Sequence, residues 1–395
     1  MKFRASAGLL GNDNVRDFLW KYSFGNASGV LFGNQPTNGI EAKNGGFANP
    51  DISWQKTQSY NAGIDTKFWE NRISFSLDAF YKYTYDILAQ VTTTNPTTVG
   101  IPTSSNIRFN YGKMHAYGGE VEVGYYGKLP YDANYYVKGN FAWSEAMKLK
   151  VAQSPGAIGR WYDELKNNIS NQPGSISTGI IRTQEELDQI LMDNPNYSIG
   201  QRIEEGMLNY LDIRGIDGSE GPNGRFNYDQ IEDRTVIAAL TSAPYTYGAS
   251  LGLSWKGIRV DATFSGKFGH KEFYDKESTA FPTSRNNVPA FWKDHWTPDN
   301  RDAKFPRAFD YGLAEQRSTF WMRDGHTLRL TDLNVSYTLP RNLSERFGIP
   351  QLRVYFNTKN LWTIINPFDY KDANLSRYNG YPMTRTYNFG LNFTL

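Results

Sequence analysis

From Arg72 to Leu88, in the run RISFSLDAFYKYTYDIL, the side chains alternate in character almost without a break. Ile73, Phe75, Leu77, Ala79, Tyr81, Tyr83 and Tyr85 fall on one side of an extended chain. Ser74, Ser76, Asp78, Phe80, Lys82, Thr84 and Asp86 fall on the other. A period of two is the mark of a strand with one apolar and one mostly polar face. An ordinary strand runs about 5–6 residues. At roughly 3.4 Å per residue this one extends on the order of 50 Å. That length fits a strand that crosses a bilayer, which takes ~9–11 tilted residues, and continues beyond it.

The same alternation marks strands at residues 2–9, 57–68, 72–88, 115–127, 134–150, 245–255, 258–268, 326–339, 351–362 and 384–395. In 245–255, Tyr245, Tyr247, Ala249, Leu251, Leu253 and Trp255 share one face, and Thr246, Gly248, Ser250, Gly252 and Ser254 the other. In 326–339 the phase breaks at Thr331-Asp332, which predicts a β-bulge. The connections 69–71, 128–133, 256–257 and 340–350 are short, whereas 10–56, 89–114, 151–244, 269–325 and 363–383 are long. Short and long alternate strictly. An up-and-down barrel with tight turns at one end and large loops at the other produces that parity. The predicted fold is therefore all-β, an antiparallel up-and-down transmembrane β-barrel. A soluble all-β carbohydrate-binding sandwich or propeller is the alternative, but it calls for shorter strands and less lopsided loops.

Composition agrees with a barrel. Aromatic residues make up 15% of the chain although mean hydropathy is only −0.58. That combination suits strands with one face toward lipid and aromatics at the interfaces. No stretch approaches the ~20 consecutive apolar residues of a transmembrane helix. A net charge of +2 gives no pull toward nucleic acid, and the absence of cysteine excludes a disulfide scaffold and thiolate zinc sites.

The longest loop carries one helical signal, TQEELDQILMDNPN. Thr183 is the expected N-cap with Glu186 completing a capping box, the stripe is Leu187, Ile190 and Leu191, and the helix stops before Pro195. No catalytic pattern appears. His115, His270, His295 and His326 are scattered, and there is no HExxH, nucleophile elbow or Walker loop, so the chain is expected not to be an enzyme. Charges on a lipid face would cost ~2–4 kcal/mol at mid-bilayer. Asp78, Lys82, Glu120, Glu122, Arg259, Asp261 and Lys267 are therefore expected to line the lumen, chiefly as cross-strand hydrogen-bonding groups. Trp161 and Tyr162, in the longest loop, are the candidate substrate contacts, since aromatic faces suit sugar rings and peptide side chains alike.

Several stretches stand out in order along the chain: RASAGLLGNDN (Arg4–Asn14), NPDISWQKT (Asn49–Thr57), NRISFSLDAFYKYTYDIL (Asn71–Leu88), DRTVI (Asp233–Ile237) and PYTYGASLGLSWKGI (Pro244–Ile258). HWTPDNRDAKFPR (His295–Arg307), FWMRDGHTLRLTDLNVSYTLP (Phe320–Pro340), LRVYFNTKNLWT (Leu352–Thr363) and the final YNFGLNFTL continue the series. Together they resemble one family, the SusC/RagA-type TonB-dependent outer-membrane transporters of Bacteroidota. The resemblance implies that residues 1–395 form the C-terminal portion of the transporter barrel, about ten strands of 22. It also implies that the plug domain and the N-terminal barrel strands lie outside this sequence.

It further implies a cell outer-membrane location and active import of glycan or peptide fragments. The implied partners are a SusD-like surface lipoprotein, TonB acting through the N-terminal part, the barrel-assembly machinery and outer-membrane lipid, with no nucleic acid. Asn388, Gly390, Phe393 and Leu395 resemble the barrel-assembly signal, with Leu395 where an aromatic is commoner. Trp292 and Trp296, in FWKDHWTP, match a framework segment and are expected to pack. Members carry an acidic DxNGDGxID-like segment before DRT. Here Asp212, Asp217 and Glu220 remain without the spacing of a Ca²⁺ loop, so a solvated acidic loop is the expectation and Ca²⁺ the candidate ion if one binds. No cofactor is expected. A stand-alone passive outer-membrane barrel, porin or adhesin, is the other membrane reading.

Overall fold

The computed structural model describes the chain outside residues 16–18, 23, 43–47, 91–107, 196, 198, 200–201, 215–220, 225, 227–231, 280–286, 309–316 and 395. All ten expected strands form: β1 (Lys2–Asn12), β2 (Gln55–Phe68), β3 (Ile73–Gln90), β4 (Arg108–Leu129), β5 (Ala133–Lys150), β6 (Tyr245–Trp255), β7 (Ile258–Phe268), β8 (Thr327–Thr338), β9 (Gln351–Ile365) and β10 (Thr386–Thr394). Each pairs with the next in sequence, so the order across the sheet is the order along the chain. That is the meander of an up-and-down barrel. The longest strand, β4, has 22 residues, well beyond a bilayer's requirement.

The ladders keep the two faces separate. Between β6 and β7, Tyr245 opposes Phe268, Leu251 opposes Ala262, Leu253 opposes Val260 and Trp255 opposes Ile258. On the other face Thr246 meets Lys267, Ser250 meets Thr263, Gly252 meets Asp261 and Ser254 meets Arg259. The predicted bulge forms at Thr331: Phe264 pairs with Leu330, Thr263 with Asp332, and Thr331 is left over, its Oγ1 donating to the Thr263 carbonyl at 3.0 Å. Strict alternation would have turned Asp332 onto the apolar face; the extra residue returns it to the polar one and puts Leu333 beside Ala262.

Tight turns close the short connections. Lys256 and Gly257 join β6 to β7 with φ of 44° and 86°, the left-handed pair that a two-residue hairpin requires. A Cβ on Gly257 would run into the Thr338 carbonyl. Trp69, Glu70 and Asn71, and likewise Tyr131 and Asp132, also sit at positive φ in the turns between β2 and β3 and between β4 and β5. The opposite strand ends lead into the long connections.

By its internal contacts the chain divides into two compact units: residues 1–65, 76–120 and 144–169, and residues 66–75, 121–143 and 170–395. In the first, β1 and β2 pair from Lys2–Asp65 to Asn12–Gln55. Arg4 bridges Asp65 at 2.8 Å and Asp78 at 2.7 Å, and Ser76 donates to Asp65 at 2.8 Å, which ties three polar strand faces together.

In the second unit the strands hold little of the buried apolar surface. Leu251, Leu253, Trp255, Ile258, Val354, Phe389, Leu391 and Phe393 are all exposed on the apolar face. A soluble protein would not expose so contiguous an apolar face, and lipid is its natural cover. The buried core lies instead in the long connections. Ile181, Leu187, Ile199, Met207, Leu208, Tyr210, Trp292, Trp296, Phe305 and Trp321 cluster there. The helix α1 (Gln184–Asp193) contributes Leu187 to it, with Ile190 and Leu191 packed alongside. Thr183 caps α1 by accepting from the Glu186 amide at 3.3 Å, while the Glu186 carboxylate takes the Arg182 amide, one residue before the cap, rather than that of Thr183. Trp292 and Trp296 pack as expected, their indole N–H groups donating to the carbonyls of Ser278 and Arg182.

Candidate functional site

In the second unit the sheet has one polar face, and its charged groups gather at the two ends of β7. Near the short-turn end, Arg259 and Asp261, one strand step apart on β7, form an ion pair at 2.7 Å. The Tyr136 hydroxyl of β5 reaches across β6 to donate to Asp261 at 2.9 Å. These groups line a cavity of about 500 Å³ together with Arg72, Lys128 and Ser254. At the long-loop end of the same strand, Lys267 reaches Glu272 at 3.2 Å, and the His270 Nε2 meets the same carboxylate oxygen at 3.1 Å. Burial pushes the Glu272 carboxyl up, but the pull of His270 and Lys267 outweighs it and holds the group below the ordinary glutamate range.

Lys267 and Glu272 open onto a basin of about 740 Å³ built by segments far apart in sequence. Its walls come from the top of β7, the segment Lys271–Glu277, Arg317, and Lys371 and residues 373–377 of the last long connection. One buried lock joins two of these walls. The Lys371 ammonium lies 3.1 Å from the Asp275 carboxylate, with both side chains almost fully buried. The Tyr370 hydroxyl donates to Asp275 at 3.0 Å and the Ser278 amide donates to its other oxygen at 3.1 Å. Burial pushes the Tyr370 phenol well above its usual value, so it stays a neutral donor at this carboxylate. At the rim, Arg377 pairs with Glu277 at 3.1 Å. The Arg317 guanidinium bonds the Gln172 side-chain oxygen and lies over the Phe273 ring.

The other expected residues fall elsewhere. Lys82 is exposed with its ammonium over the Phe80 ring, and Glu120 and Glu122 are exposed on β4. Trp161 and Tyr162 stack edge to face, 5.3 Å between centroids, on a half-buried loop of the first unit. That loop is organised by Asp163, whose carboxylate accepts from Gln153 and from the amides of Gly159 and Leu165. The Gly159 amide first, then Gln153 and the Leu165 amide, hold its carboxyl below the ordinary range. Asp212 accepts the amides of Asn223 and Gly224, while Asp217 and Glu220 lie outside the described residues. Among the described residues no three His, Cys, Asp or Glu side chains gather into a metal-binding cluster. Near the C-terminal end, Asn388 donates to Asn357 at 2.8 Å, Gly390 lies under the Tyr355 ring, and Phe393 opposes Leu352; Leu395 lies outside the described residues.

Sequence reasoning did not find the basin. Arg317, Lys371 and Arg377 share no periodic pattern with Lys267, and only the folded loops bring them together.

Residues 12–361 match the family model described as TonB dependent receptor-like, beta-barrel. The chain belongs to this family. TonB-dependent receptors of this kind are outer-membrane β-barrels, a receptor and transporter family rather than an enzyme class. TonB-dependent receptor P3 of Formosa agariphila is 24% identical over 419 residues, covering 99% of this chain and 39% of that protein. The SusC receptor of Bacteroides thetaiotaomicron is 26% identical over 174 residues, 43% of this chain and 16% of that one. The RagAB peptide importer in its open-open state superposes with a TM-score of 0.69 at 20% identity, covering 99% of this chain and 40% of that chain. At that identity the match shows the fold, a SusC- and RagA-like TonB-dependent receptor barrel. The chain spans about 40% of the length of the curated relatives that match it end to end.

Proposed function

We propose that this TonB-dependent receptor chain forms the C-terminal barrel wall, passage lining and outer loops of a transporter that imports glycan or peptide fragments across the outer membrane. The observation that carries this reading is the continuity of the polar sheet face with the charged basin at the long-loop end of β7. A polar lining under a loop-built mouth, with an apolar exterior, is what a solute path through lipid requires. In this reading the long loops are extracellular and lie beneath a SusD-like lipoprotein. TonB supplies the energy, the barrel-assembly machinery inserts the chain, and outer-membrane lipid covers the apolar face.

The test is uptake in the source bacterium. Deleting the gene should abolish growth on at least one glycan or peptide mixture as sole carbon or nitrogen source, and loss of TonB should have the same effect. Uptake that needs this gene but continues without TonB would replace active import with a passive channel. No uptake defect on any such mixture would remove the transport reading.

A further inference from the structure

The basin carries a charge excess that an uncharged solute would not use. Its described lining holds six cations, Lys267, Lys271, Lys276, Arg317, Lys371 and Arg377, against three carboxylates, Glu272, Asp275 and Glu277. Each carboxylate already has a lining cation within 3.2 Å: Glu272 has Lys267, Asp275 has Lys371, and Glu277 has Arg377. Lys271 pairs with Asp324, a residue outside this lining. Lys276 has a partner of its own, and among the described residues Arg317 has no carboxylate within ion-pair distance.

Two of the cations stand where a ligand would meet them. Arg317 is exposed, and its guanidinium is held by an amide oxygen and a ring face, neither of which carries a formal charge. Arg377 is exposed at the rim, fixed at Nε by Glu277. A guanidinium presents N–H groups in a planar fork, so such anchoring leaves donors for a bidentate carboxylate. The side chains of Gln172, Thr241, Asn374 and Ser376 also line the basin; Gln172 is held between Arg317 and the Pro173 carbonyl and Thr241 donates to the Ser170 carbonyl, so the Asn374 amide and the Ser376 hydroxyl are the groups that suit peptide N–H and C=O groups.

The rings at the basin are committed to the protein. Phe273 lies under Arg317, and Tyr274 packs among Phe291, Trp321, Phe368 and Tyr370. The flat stacking platform that a sugar face uses is thus taken up by these contacts, while charge and amide groups remain as the recognition surface. We infer that the basin binds short acidic peptides, with Arg317 and Arg377 taking their carboxylates. This rests on the transport reading and names its substrate class.

The experiment is titration calorimetry on the purified protein in detergent. The probes are a pentapeptide with two aspartates, the same peptide with asparagines, and trigalacturonate. Two charge-assisted hydrogen-bonding sites, discounted for exposure, give the acidic peptide an advantage of about tenfold or more over its neutral counterpart at low salt. The double variant Arg317→Gln, Arg377→Gln should bring that ratio close to one, and Arg317→Lys, Arg377→Lys should retain most of it. Unchanged protease-resistant fragments would show that the variants fold.

Equal binding of the acidic and neutral peptides overturns the inference, as does an acidic preference that survives in the glutamine variant. Binding of trigalacturonate without discrimination between the peptides overturns the peptide assignment. Gene-dependent, TonB-dependent uptake alongside either result leaves the transport reading standing, whereas its loss on all substrates is a separate failure.

Discussion

Replacing Lys371 by Met removes one member of the buried lock that holds the last long connection against the segment Lys271–Glu277. Methionine keeps the length of the side chain and its place against Phe368, whose ring centre lies 4.8 Å from the ammonium. What changes is the charge. Among the described residues, Asp275, with its side chain almost fully buried, then keeps the Tyr370 hydroxyl and the Ser278 amide but no cation. Removing one partner of a buried pair leaves an uncompensated charge and costs about 3–5 kcal/mol, to which the lost cation–π contact adds about 0.5–2 kcal/mol.

The cost falls on local opening of the loop layer, because the lock joins loop to loop and not strand to strand. Hydrogen exchange read by mass spectrometry in detergent should show amides of residues 276–279 and 368–375 exchanging about three to five powers of ten faster. Amides in the β6–β7 ladder should not change. Adding Asp275→Asn to Lys371→Met removes the stranded charge and should recover a large part of the protection. Protection unchanged in the single variant, or the same loss spread through β6 and β7, would refute the assignment of the lock as a local clasp. No recovery in the double variant would refute the electrostatic origin of the cost.

On the apolar face, Leu251→Arg should cost about 2–4 kcal/mol in a bilayer, whereas Ser250→Arg, one residue away on the polar face, should cost far less; urea-driven unfolding in lipid vesicles separates them. Gly390 lies where a Cβ would enter the Tyr355 ring, so Gly390→Ala should displace that ring at about 1–3 kcal/mol, read as slower heat-resistant folding on electrophoresis. Asp163 has a depressed carboxyl in the fold, so its contribution is fully present above the unfolded value of about 3.9 and is lost as pH falls from there through the lower folded value. Proteolysis of the 151–169 loop should therefore rise below about pH 4, and Asp163→Asn should flatten that dependence.

The strands were legible because one physical requirement repeats along each of them. Lipid on one side and polar surface on the other impose a period of two for the whole length of a strand, so even the phase break at Thr331 could be read as a bulge. The turns were legible from length alone. The loop layer was not. Its core joins Ile181, Trp296, Phe305 and Trp321 across more than a hundred residues, and none of these follows a strand or helix period relative to the others. α1 was the exception, since its cap and stripe are local; even there, the sequence could not show that the Glu186 carboxylate would take the Arg182 amide. Lys267 was readable as a polar-face residue, but Arg317, Lys371 and Arg377 became its neighbours only through tertiary packing.

These two modes of encoding divide the work in the second unit. The sheet needs lipid to cover Leu251, Leu253 and Trp255, so its stability depends on the membrane. The loop layer buries its own aromatic core and carries its own buried ion pair, so its shape depends on side-chain packing that the membrane does not supply. Substitutions on the polar edge of the basin, such as Arg317 or Arg377, touch neither the lipid-facing rows nor the aromatic core. Under the proposed reading, binding chemistry at the basin can therefore vary with little effect on insertion, while the barrel pattern beneath it stays fixed by the bilayer. That separation follows from where the exposed apolar surface and the buried core lie, and under the transport reading proposed above it places selectivity in the segments that sequence periodicity does not describe.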